Sequence, residues 1–302
     1  MGSTVDSMSN ARLLENSDSP VAVVRRQLQR SIRDMLVGNQ ATVRDSLKSQ
    51  SDTGLFGPES VTWQIHSDAA MLIGGVRSLL LQTVHPLAMA GVADHSAYRT
   101  DPTGRLQRTA GYVGVVTFGT TVEAKEAVAM VKRVHAKVVG FAPDGSTYAA
   151  NDPHLLAWVH HTLVESFLQA YQRYGAKPLS LADADRYVAE QAVLADLFGA
   201  TPPARSVAEL DAWMTSIRPE LSAGSQARNA VRFLLFPPLA VQSLPFYGVL
   251  ASAAVGLLPS WARRDLRLPR LPLTETIAVR PAAWALTQTL GWAMAAPPVH
   301  SS

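Results

Sequence analysis

The segment from Val61 to Val92 constrains the fold more strongly than any other part of the chain. It reads VTWQIHSDAAMLIGGVRSLLLQTVHPLAMAGV, and its central part is apolar on nearly every side of a helix. A helix that is apolar all round is buried, so this pattern predicts a core helix that breaks near Pro86. Because Gly74 and Gly75 carry no side chain, another helix or a flat ligand can approach the backbone closely there.

Start and stop signals predict several further helices. Asp101 before Pro102 is typical of an N-cap followed by the first helical residue, and this helix runs to about residue 117. Thr120 and Glu123 have the spacing of a capping box, which opens a helix that ends at Gly140. Other helices are predicted at 21–48, 151–175, 180–198, 206–217 and 224–236.

The chain contains few alternating strand patterns, so the predicted fold class is all-α. Hydrophobic residues make up 47% and charged residues 17% of the 302 positions, which allows one large core. We expect a polar, flexible tail at 1–20 and a single all-helical domain at 21–302. The tail lacks a basic start followed by an apolar run, so it is not a secretory signal, and a cytoplasmic location is expected.

The composition also excludes several functions. The chain has no cysteine, which excludes disulfides, thiolate catalysis and cysteine metal sites. The net charge of +3 is too small and too dispersed to predict binding of nucleic acid. The sequence shows no Ser-His-Asp order, glycine-rich phosphate loop or paired-carboxylate motif.

The C-terminal third contains a long uncharged stretch between Arg232 and Arg263. Prolines divide it, and the apolar piece from Phe246 to Leu258 is far shorter than the roughly 20 residues that a membrane span needs. This piece is either a core helix or an interfacial one. The basic sequence ARRDLRLPR follows it, which keeps open a peripheral contact of this third with anionic lipid.

A histidine on an apolar helix face is the first candidate site residue. In RVHAKVVG, residues 133–140, His135 lies near the middle of an arc of alanines and valines, opposite an arc of charged side chains. It is therefore expected to face the interior. One interpretation is a core histidine that bonds to a backbone carbonyl. The other is a ligand to a metal in an apolar pocket, where a single histidine without cysteine suits haem iron better than a bare metal.

Four polar residues share a face of the helix that begins at Pro102. Arg105, Arg108, Thr109 and Tyr112 follow the spacing i, i+3, i+4 and i+7. They form either a solvated stripe or a polar face over an apolar cavity. In the second case the arginines would pair with carboxylates such as haem propionates, and a hydroxyl would bond to an oxygen species.

The remaining histidines are weaker candidates. His85 and His95 are interpreted as helix caps or pocket donors, whereas His66 and His154 are typical of surface or cap positions. The adjacent histidines at 160–161 point about 100° apart on a helix, so they cannot share one metal from the same face.

Three blocks of the sequence resemble a known family. They are GGVRSLLLQTVHPLAMAGVADHSAYRTDPTGRLQRT, VKRVHAKVVG and YAANDPHLLAWVHHTLVESF. Over roughly residues 60–270 the chain is similar to the rubber oxygenases (latex-clearing proteins) and to the fungal prenyl-chain-cleaving oxygenase mpaB. The resemblance implies a helical fold with a globin-like core around one haem b. It also implies cleavage of carbon–carbon double bonds in polyisoprenoid chains by dioxygen.

The resemblance further assigns roles to single residues. The family's iron ligand matches His135, and an arginine and a threonine of the preceding helix match Arg105 and Thr109. Rubber oxygenases can place a lysine just before that threonine, where it ligates iron in the absence of substrate. This chain has Arg108 there, and a guanidinium has no lone pair to offer iron. A lysine-ligated resting state is therefore not expected, and Arg108 would instead hold a propionate or gate the distal side.

The sequence supports two main hypotheses. The first is a haem b-dependent oxygenase that uses dioxygen on an apolar, isoprenoid- or lipid-like small molecule. The alternative is a non-enzymatic haem- or lipid-binding protein, because both functions need the same pocket. A third hypothesis is a helical scaffold without a cofactor, in which His135 is simply packed.

Overall fold

The computed structural model describes residues 52–200, 202–239 and 241–294. The predicted tail at 1–20 and the predicted basic helix at 21–48 lie outside these residues. Within them the chain is mainly helical, with one short two-stranded antiparallel sheet. The all-α prediction is confirmed, whereas the globin-like arrangement stays a prediction.

The helices follow one another with short connections. The first six are α1 (Val61–His66), α2 (Met71–Gln82), α3 (Pro86–His95), α4 (Pro102–Phe118), α5 (Thr121–His135) and α6 (Pro153–Tyr174). The next six are α7 (Leu181–Phe198), α8 (Val207–Ser216), α9 (Ser225–Leu235), α10 (Leu244–Leu257), α11 (Ser260–Asp265) and α12 (Arg280–Met294). Short 3₁₀ turns lie at Ala97–Arg99, Arg218–Glu220 and Val241–Ser243, and a helical turn at Pro272–Thr274 and a π-helical turn at Glu275–Val279 precede α12.

The predicted helix starts are confirmed by their caps. The Asp101 carboxylate accepts a hydrogen bond from Gly104 N at the start of α4, and Thr120 and Glu123 form the complete capping box of α5. Asp152 likewise accepts from two amides in the first turn of α6. These short side chains bond to amide groups that have no partner inside the helix.

The predicted end of α5 is wrong. The helix ends at His135 rather than Gly140, because β1 (Val139–Phe141) pairs antiparallel with β2 (Thr147–Ala149). The turn between the strands contains Gly145 at a φ of 88°, which glycine adopts without strain. An Asp-Gly turn flanked by β-branched and aromatic residues favours a hairpin over a longer helix.

The segment predicted as a buried helix forms α1, α2 and α3, with a second break at residues 67–70. The middle of α2 is fully buried at Ile73 and Leu80, as predicted. A Cβ on Gly74 would lie 2.7 Å from the Phe167 ring of α6. It is therefore another helix, rather than a flat ligand, that approaches the backbone of α2 at this glycine.

The uncharged C-terminal stretch forms α10, which packs against α2 and buries Leu250 and Ala254. Of the two predicted alternatives, the structure confirms the core helix. In the basic sequence that follows, Arg263 is buried and its Nη2 lies 2.6 Å from Glu275 Oε1, whereas Arg264 is exposed. None of the helices in the described part of the chain has the length and apolar character that a membrane span requires.

One histidine that was predicted at the surface belongs to the core. His66 is 4% exposed, and its ring nitrogens lie 2.7 Å from Thr117 Oγ1 and 3.1 Å from the Tyr187 hydroxyl. Burial lowers the pKa of His66 to about 3, so the ring is neutral. The surface prediction is wrong because α1 is short and packs against α4, α6 and α7, which turns its last residue inward.

A buried arginine joins three helices at the centre of the fold. Arg77 of α2 is 1% exposed, and its guanidinium pairs with Glu165 of α6, with Nη2 2.8 Å from Oε1. The same guanidinium donates to Ser166 Oγ at 2.6 Å and to the Leu257 carbonyl at the end of α10 at 3.0 Å. Both helices that pack on α2 therefore compensate the buried charge.

The substitution Glu165→Gln is expected to lower the free energy of unfolding by about 3 kcal/mol, because it leaves the Arg77 guanidinium buried without a carboxylate. Denaturation by guanidinium chloride, followed by circular dichroism, measures this loss. Arg205→Gln removes an exposed ion pair with Asp196 and is the matched control, with an expected loss below about 1 kcal/mol. Equal losses in the two variants would show that the pair does not anchor α2.

Candidate functional site

A mainly apolar cavity of about 130 Å³ lies between α2, α3, α4, α9 and α10. Its apolar walls include Val76, Leu79, Met89, Val92, Phe233 and Leu239. Two hydroxyls on the wall are already bonded within the protein, since Thr83 donates to the Leu80 carbonyl and Tyr247 to the Leu234 carbonyl. A cavity of this kind suits an apolar small molecule.

Two of the predicted site residues lie on this cavity. Arg105 is half-buried, and Thr109 follows one helical turn later, with its hydroxyl donating to the Arg105 carbonyl at 3.0 Å. Burial lowers the pKa of Arg105, and the neighbouring charges that act on it come from Tyr98 and Arg108 rather than from a carboxylate. Among the described residues this guanidinium therefore has no acidic partner, and it provides a place for an anionic group on an otherwise apolar wall.

The other two residues of the predicted polar face lie elsewhere. Arg108 is exposed, and its Nη1 is 3.1 Å from Asp101 Oδ2. Tyr112 is half-buried, its ring centroid is 6.0 Å from that of Phe198, and burial raises its pKa. Neither side chain lines the cavity. The polar face of α4 is therefore divided between the cavity, solvent and the contact with α7.

His135 is the last residue of α5, and its ring centroid is 6.5 Å from that of Phe198. The side chain is half-buried, and its buried Nδ1 has no hydrogen-bond partner within the described part of the chain. Burial lowers the pKa of His135, so the ring is neutral near pH 7. His135 is not among the residues that line the cavity. The apolar arc of α5 is buried at Ala124 and Val128, but Val134 is 56% exposed. The apolar arc is therefore buried in the first half of α5 and more exposed near its end, where His135 is half-buried.

Exposed apolar side chains lie beside the cavity. Pro237 and Leu239 line it between α9 and α10, while their neighbours Phe236 and Val241 are 80% and 78% exposed. Further along the C-terminal third, Leu273 is 76% exposed. Exposed apolar groups that adjoin a cavity are typical of a surface that meets an apolar partner.

A second group of polar side chains lies outside the cavity. His85, His154 and Glu220 each bring one nitrogen or oxygen to within 4.8 Å of the others. The His85 ring is 5.9 Å from Trp158, both of its nitrogens are buried without a partner, and burial lowers its pKa to about 4. His85 occupies the N-cap position of α3, but its side chain makes no capping hydrogen bond there. The ring instead packs towards α6.

Two other histidines are hydrogen-bonded within the fold. His95 Nε2 is 3.1 Å from the Tyr148 hydroxyl, which connects α3 to the hairpin. His161 Nε2 accepts from Ala204 N at 3.0 Å, and burial lowers the pKa of this histidine to about 4. These side chains hold neighbouring segments together rather than facing the cavity.

Sequence reasoning did not find the group formed by His85, His154 and Glu220. The sequence gives only a weak indication of this group. Each histidine stands next to a proline at a helix start, where a histidine on its own is typical of a cap. Glu220 carries no local signal at all and lies 66 residues beyond His154. Tertiary packing alone brings the three side chains together.

Comparison with known proteins relates the whole helical unit to one family. The sequence model of the family described as "ER-bound oxygenase mpaB/B'/Rubber oxygenase, catalytic domain" matches residues 63–292. No curated protein and no solved structure matches the chain significantly. The matched range includes the cavity, His135 and the group around His85. Because the match covers well over half of the sequence, the chain belongs to the mpaB/rubber oxygenase catalytic-domain family, a family of oxygenases that act on small molecules with dioxygen.

Proposed function

We propose that the protein is a haem b-dependent oxygenase that uses dioxygen on an apolar, isoprenoid- or lipid-like small molecule. The observation that carries this proposal is the pair Arg105 and Thr109 on the wall of an apolar cavity, in a chain of an oxygenase family. Oxygenation of an apolar molecule needs a site that excludes water and carries a few oriented polar groups. The cavity has mainly apolar walls and carries the polar groups of Arg105 and Thr109.

The donors of the chain fit haem b. His135 has a buried Nδ1 without a partner and a neutral ring, which is the state in which imidazole ligates iron. Arg105 and Arg108 carry charges that suit propionates, and neither guanidinium has a lone pair that would compete for iron. In this proposal His135 would hold the haem iron, and the two arginines would hold the propionates. When bound, haem would supply the activation of dioxygen, which side chains alone do not provide.

The chain's own residues have separate tasks in this proposal. The apolar walls hold the substrate and keep water away from it. Arg105 orients an anionic or oxygen-bearing group through charge-assisted hydrogen bonds. The Thr109 hydroxyl rotates between the Arg105 carbonyl, 3.0 Å away, and an acceptor in the cavity. Arg108, which pairs with Asp101 outside the cavity, would contact a propionate from the solvent side.

The C-terminal third offers a route by which a lipid-like substrate reaches the cavity. Phe236 and Val241 are exposed next to the cavity residues Pro237 and Leu239. Exposed arginines, Arg264 among them, lie further along the same third. Apolar and basic groups together favour a peripheral contact with anionic lipid, and this contact is part of the proposal.

A non-enzymatic haem- or lipid-binding protein is the second candidate. The observation that favours it is the internal bonding of the wall hydroxyls of Thr83 and Tyr247, which reduces the number of groups available for chemistry. Both candidates need the same cavity. Turnover of a substrate with dioxygen distinguishes the oxygenase from the binding protein.

His135→Ala is expected to abolish the Soret band of protein expressed with ample haem or loaded with hemin, because the axial ligand is lost. Helical circular dichroism should be unchanged, since the side chain is only half-buried. Absorbance spectroscopy makes the measurement. His95→Ala is the matched control and should keep the band, because His95 bonds only to the hairpin. A wild-type protein that stays colourless and refuses hemin would end the haem proposal.

Arg105→Gln and Thr109→Ala are expected to keep the Soret band but to lower turnover by about a hundredfold, which is typical for loss of one oriented donor. Turnover is measured as dioxygen consumption with squalene and with oleate, together with mass spectrometry of the products. Arg133→Gln, an exposed change on α5, is the control. Unchanged turnover in the first two variants would show that they are misassigned, and no turnover by haem-loaded wild type would favour the binding protein.

Phe236→Ser is expected to weaken binding to vesicles of phosphatidylcholine and phosphatidylserine by about 10- to 100-fold, because burial of a phenylalanine contributes roughly 1.5–3 kcal/mol. Co-sedimentation with the vesicles measures the binding. Phe141→Ser is the matched control. Phe141 is 70% exposed, but it belongs to β1, which is far in sequence from the C-terminal third. If both variants bind as the wild type does, or the wild type does not bind, the membrane contact is wrong.

A further inference from the structure

We propose that His85, His154 and Glu220 form a binding site for a divalent transition-metal ion, distinct from His135 and from the haem assigned to it. One nitrogen or oxygen of each side chain lies within 4.8 Å of the other two. The three residues come from three separate segments: the loop before α3, the first turn of α6 and the 3₁₀ turn Arg218–Glu220. The site does not depend on the proposed oxygenase function.

The strongest observation is the state of the His85 ring. The residue is 2% exposed, and among the residues that the structure describes neither buried ring nitrogen has a hydrogen-bond partner. Its Nε2 lies 3.9 Å from Glu220 Oε2, so the ring is directed towards the group. Buried polar atoms are nearly always satisfied, and leaving one unsatisfied costs about 1–3 kcal/mol. An ion held between His85 and Glu220 would satisfy this nitrogen.

The other two ligands are accessible to an ion from solvent. His154 Nε2 lies 2.8 Å from Glu220 Oε2 and 3.1 Å from Oε1, and both side chains are about half exposed. In a tetrahedral site with bonds of about 2.0–2.1 Å, ligand atoms are roughly 3.3 Å apart. The observed separations of 2.8 and 3.9 Å lie on either side of this value. Binding of an ion would bring the two histidine nitrogens, which lie within 4.8 Å of each other, to this spacing by rotation of their side chains.

The surrounding contacts hold the carboxylate ligand in place. Ser222 N donates to the Val84 carbonyl at 2.8 Å, which ties the turn of Glu220 to the residue before His85. In the same turn, the Arg218 guanidinium stacks on the Trp261 ring at 3.9 Å and pairs with Asp265 at 3.0 Å. Outer contacts of this kind are what fix ligands in metal sites.

The histidine ligand of α6 is also fixed by its surroundings. Asp152 Oδ1 accepts hydrogen bonds from His154 N at 2.9 Å and from Leu155 N at 3.1 Å. This cap sets the start of α6 and with it the direction of the His154 side chain. The first turns of α3 and α6 also bring positive dipole ends, which oppose a cation. The carboxylates of Asp152 and Glu220 offset this repulsion.

The donor set indicates the class of metal. Two imidazole nitrogens and one carboxylate form the ligand sets of catalytic zinc sites and of non-haem Fe²⁺ sites, whereas hard ions such as Ca²⁺ and Mg²⁺ prefer oxygen ligands alone. Three protein ligands leave at least one position for water or another small ligand. Thr83, which lines the cavity, lies two residues before His85 in the sequence, whereas the three ligands themselves do not line it.

The test uses the full chain without a histidine tag, first stripped with a chelator and then dialysed. Zn²⁺ binding is measured by competition with a chromophoric chelator, Co²⁺ binding by its visible absorption, and metals retained from expression by elemental analysis. We expect one Zn²⁺ per chain and a Kd at least about a hundredfold weaker in Glu220→Gln and His154→Gln. Zinc or non-haem iron retained from expression would support the site. The identity of the retained metal would show which of the two ions the site prefers.

The controls separate this site from the haem proposal. His135→Ala should lose the Soret band and keep Zn²⁺ binding, whereas Glu220→Gln should keep the Soret band and lose Zn²⁺ binding. His95→Gln changes a histidine bonded to the hairpin and should bind Zn²⁺ as the wild type does. Because His85 is buried, substituting it could disturb the fold, so the test uses variants of the two exposed ligands, His154 and Glu220. Circular dichroism checks that these variants are folded. The site is wrong if Zn²⁺ and Co²⁺ bind no tighter than about millimolar, or if both variants bind them as the wild type does.

Discussion

A positive charge buried in the middle of α2 is the constraint on which the rest of the structure depends. The Arg77 guanidinium is compensated by Glu165 and Ser166 of α6 and by the Leu257 carbonyl of α10. A buried pair of this kind often adds little net stability compared with apolar side chains, but losing one partner is costly. The pair also fixes the register of the helices, that is, the position of α6 and α10 along the axis of α2. Any slide of α6 or α10 along α2 would leave the charge unpaired, so this pair fixes how the three central helices meet.

The same three helices position both candidate sites. The second half of α2 supplies Leu79 to the cavity and Thr83 follows directly after the helix, so that His85 lies only two residues beyond the cavity wall. Helix α6 brings His154 at its start, and α10 closes the cavity with Tyr247. The close contact of Gly74 with Phe167 lets α2 and α6 approach far enough for this arrangement. The geometry of the sites therefore follows from helix packing rather than from flexible loops.

The sequence predicted what depends on local chemistry. Helix starts were correct wherever a short polar side chain bonds to first-turn amides, as Asp101 and Thr120 do, because that signal lies within four residues. The end of α5 was missed because a hairpin further along competes for the same backbone. The burial of His66 and the meeting of His85 with Glu220 could not be predicted, since they depend on which helices pack together. Of the polar face of α4, the pattern identified the residues but not that Arg105 and Thr109 meet a cavity while Arg108 meets solvent.

Helix α4 is the element that relates the cavity to His135. At one end Arg105 and Thr109 line the cavity, and at the other Tyr112 contacts Phe198, the ring that also contacts His135. Seven residues separate Arg105 from Tyr112, which is roughly 10 Å along a helix. A reacting centre held by His135 and a substrate held beside Arg105 would therefore share α4 as a common wall, although they would not share every lining residue. The Phe198 ring contacts both Tyr112 and His135, so it connects the middle of α4 to the end of α5.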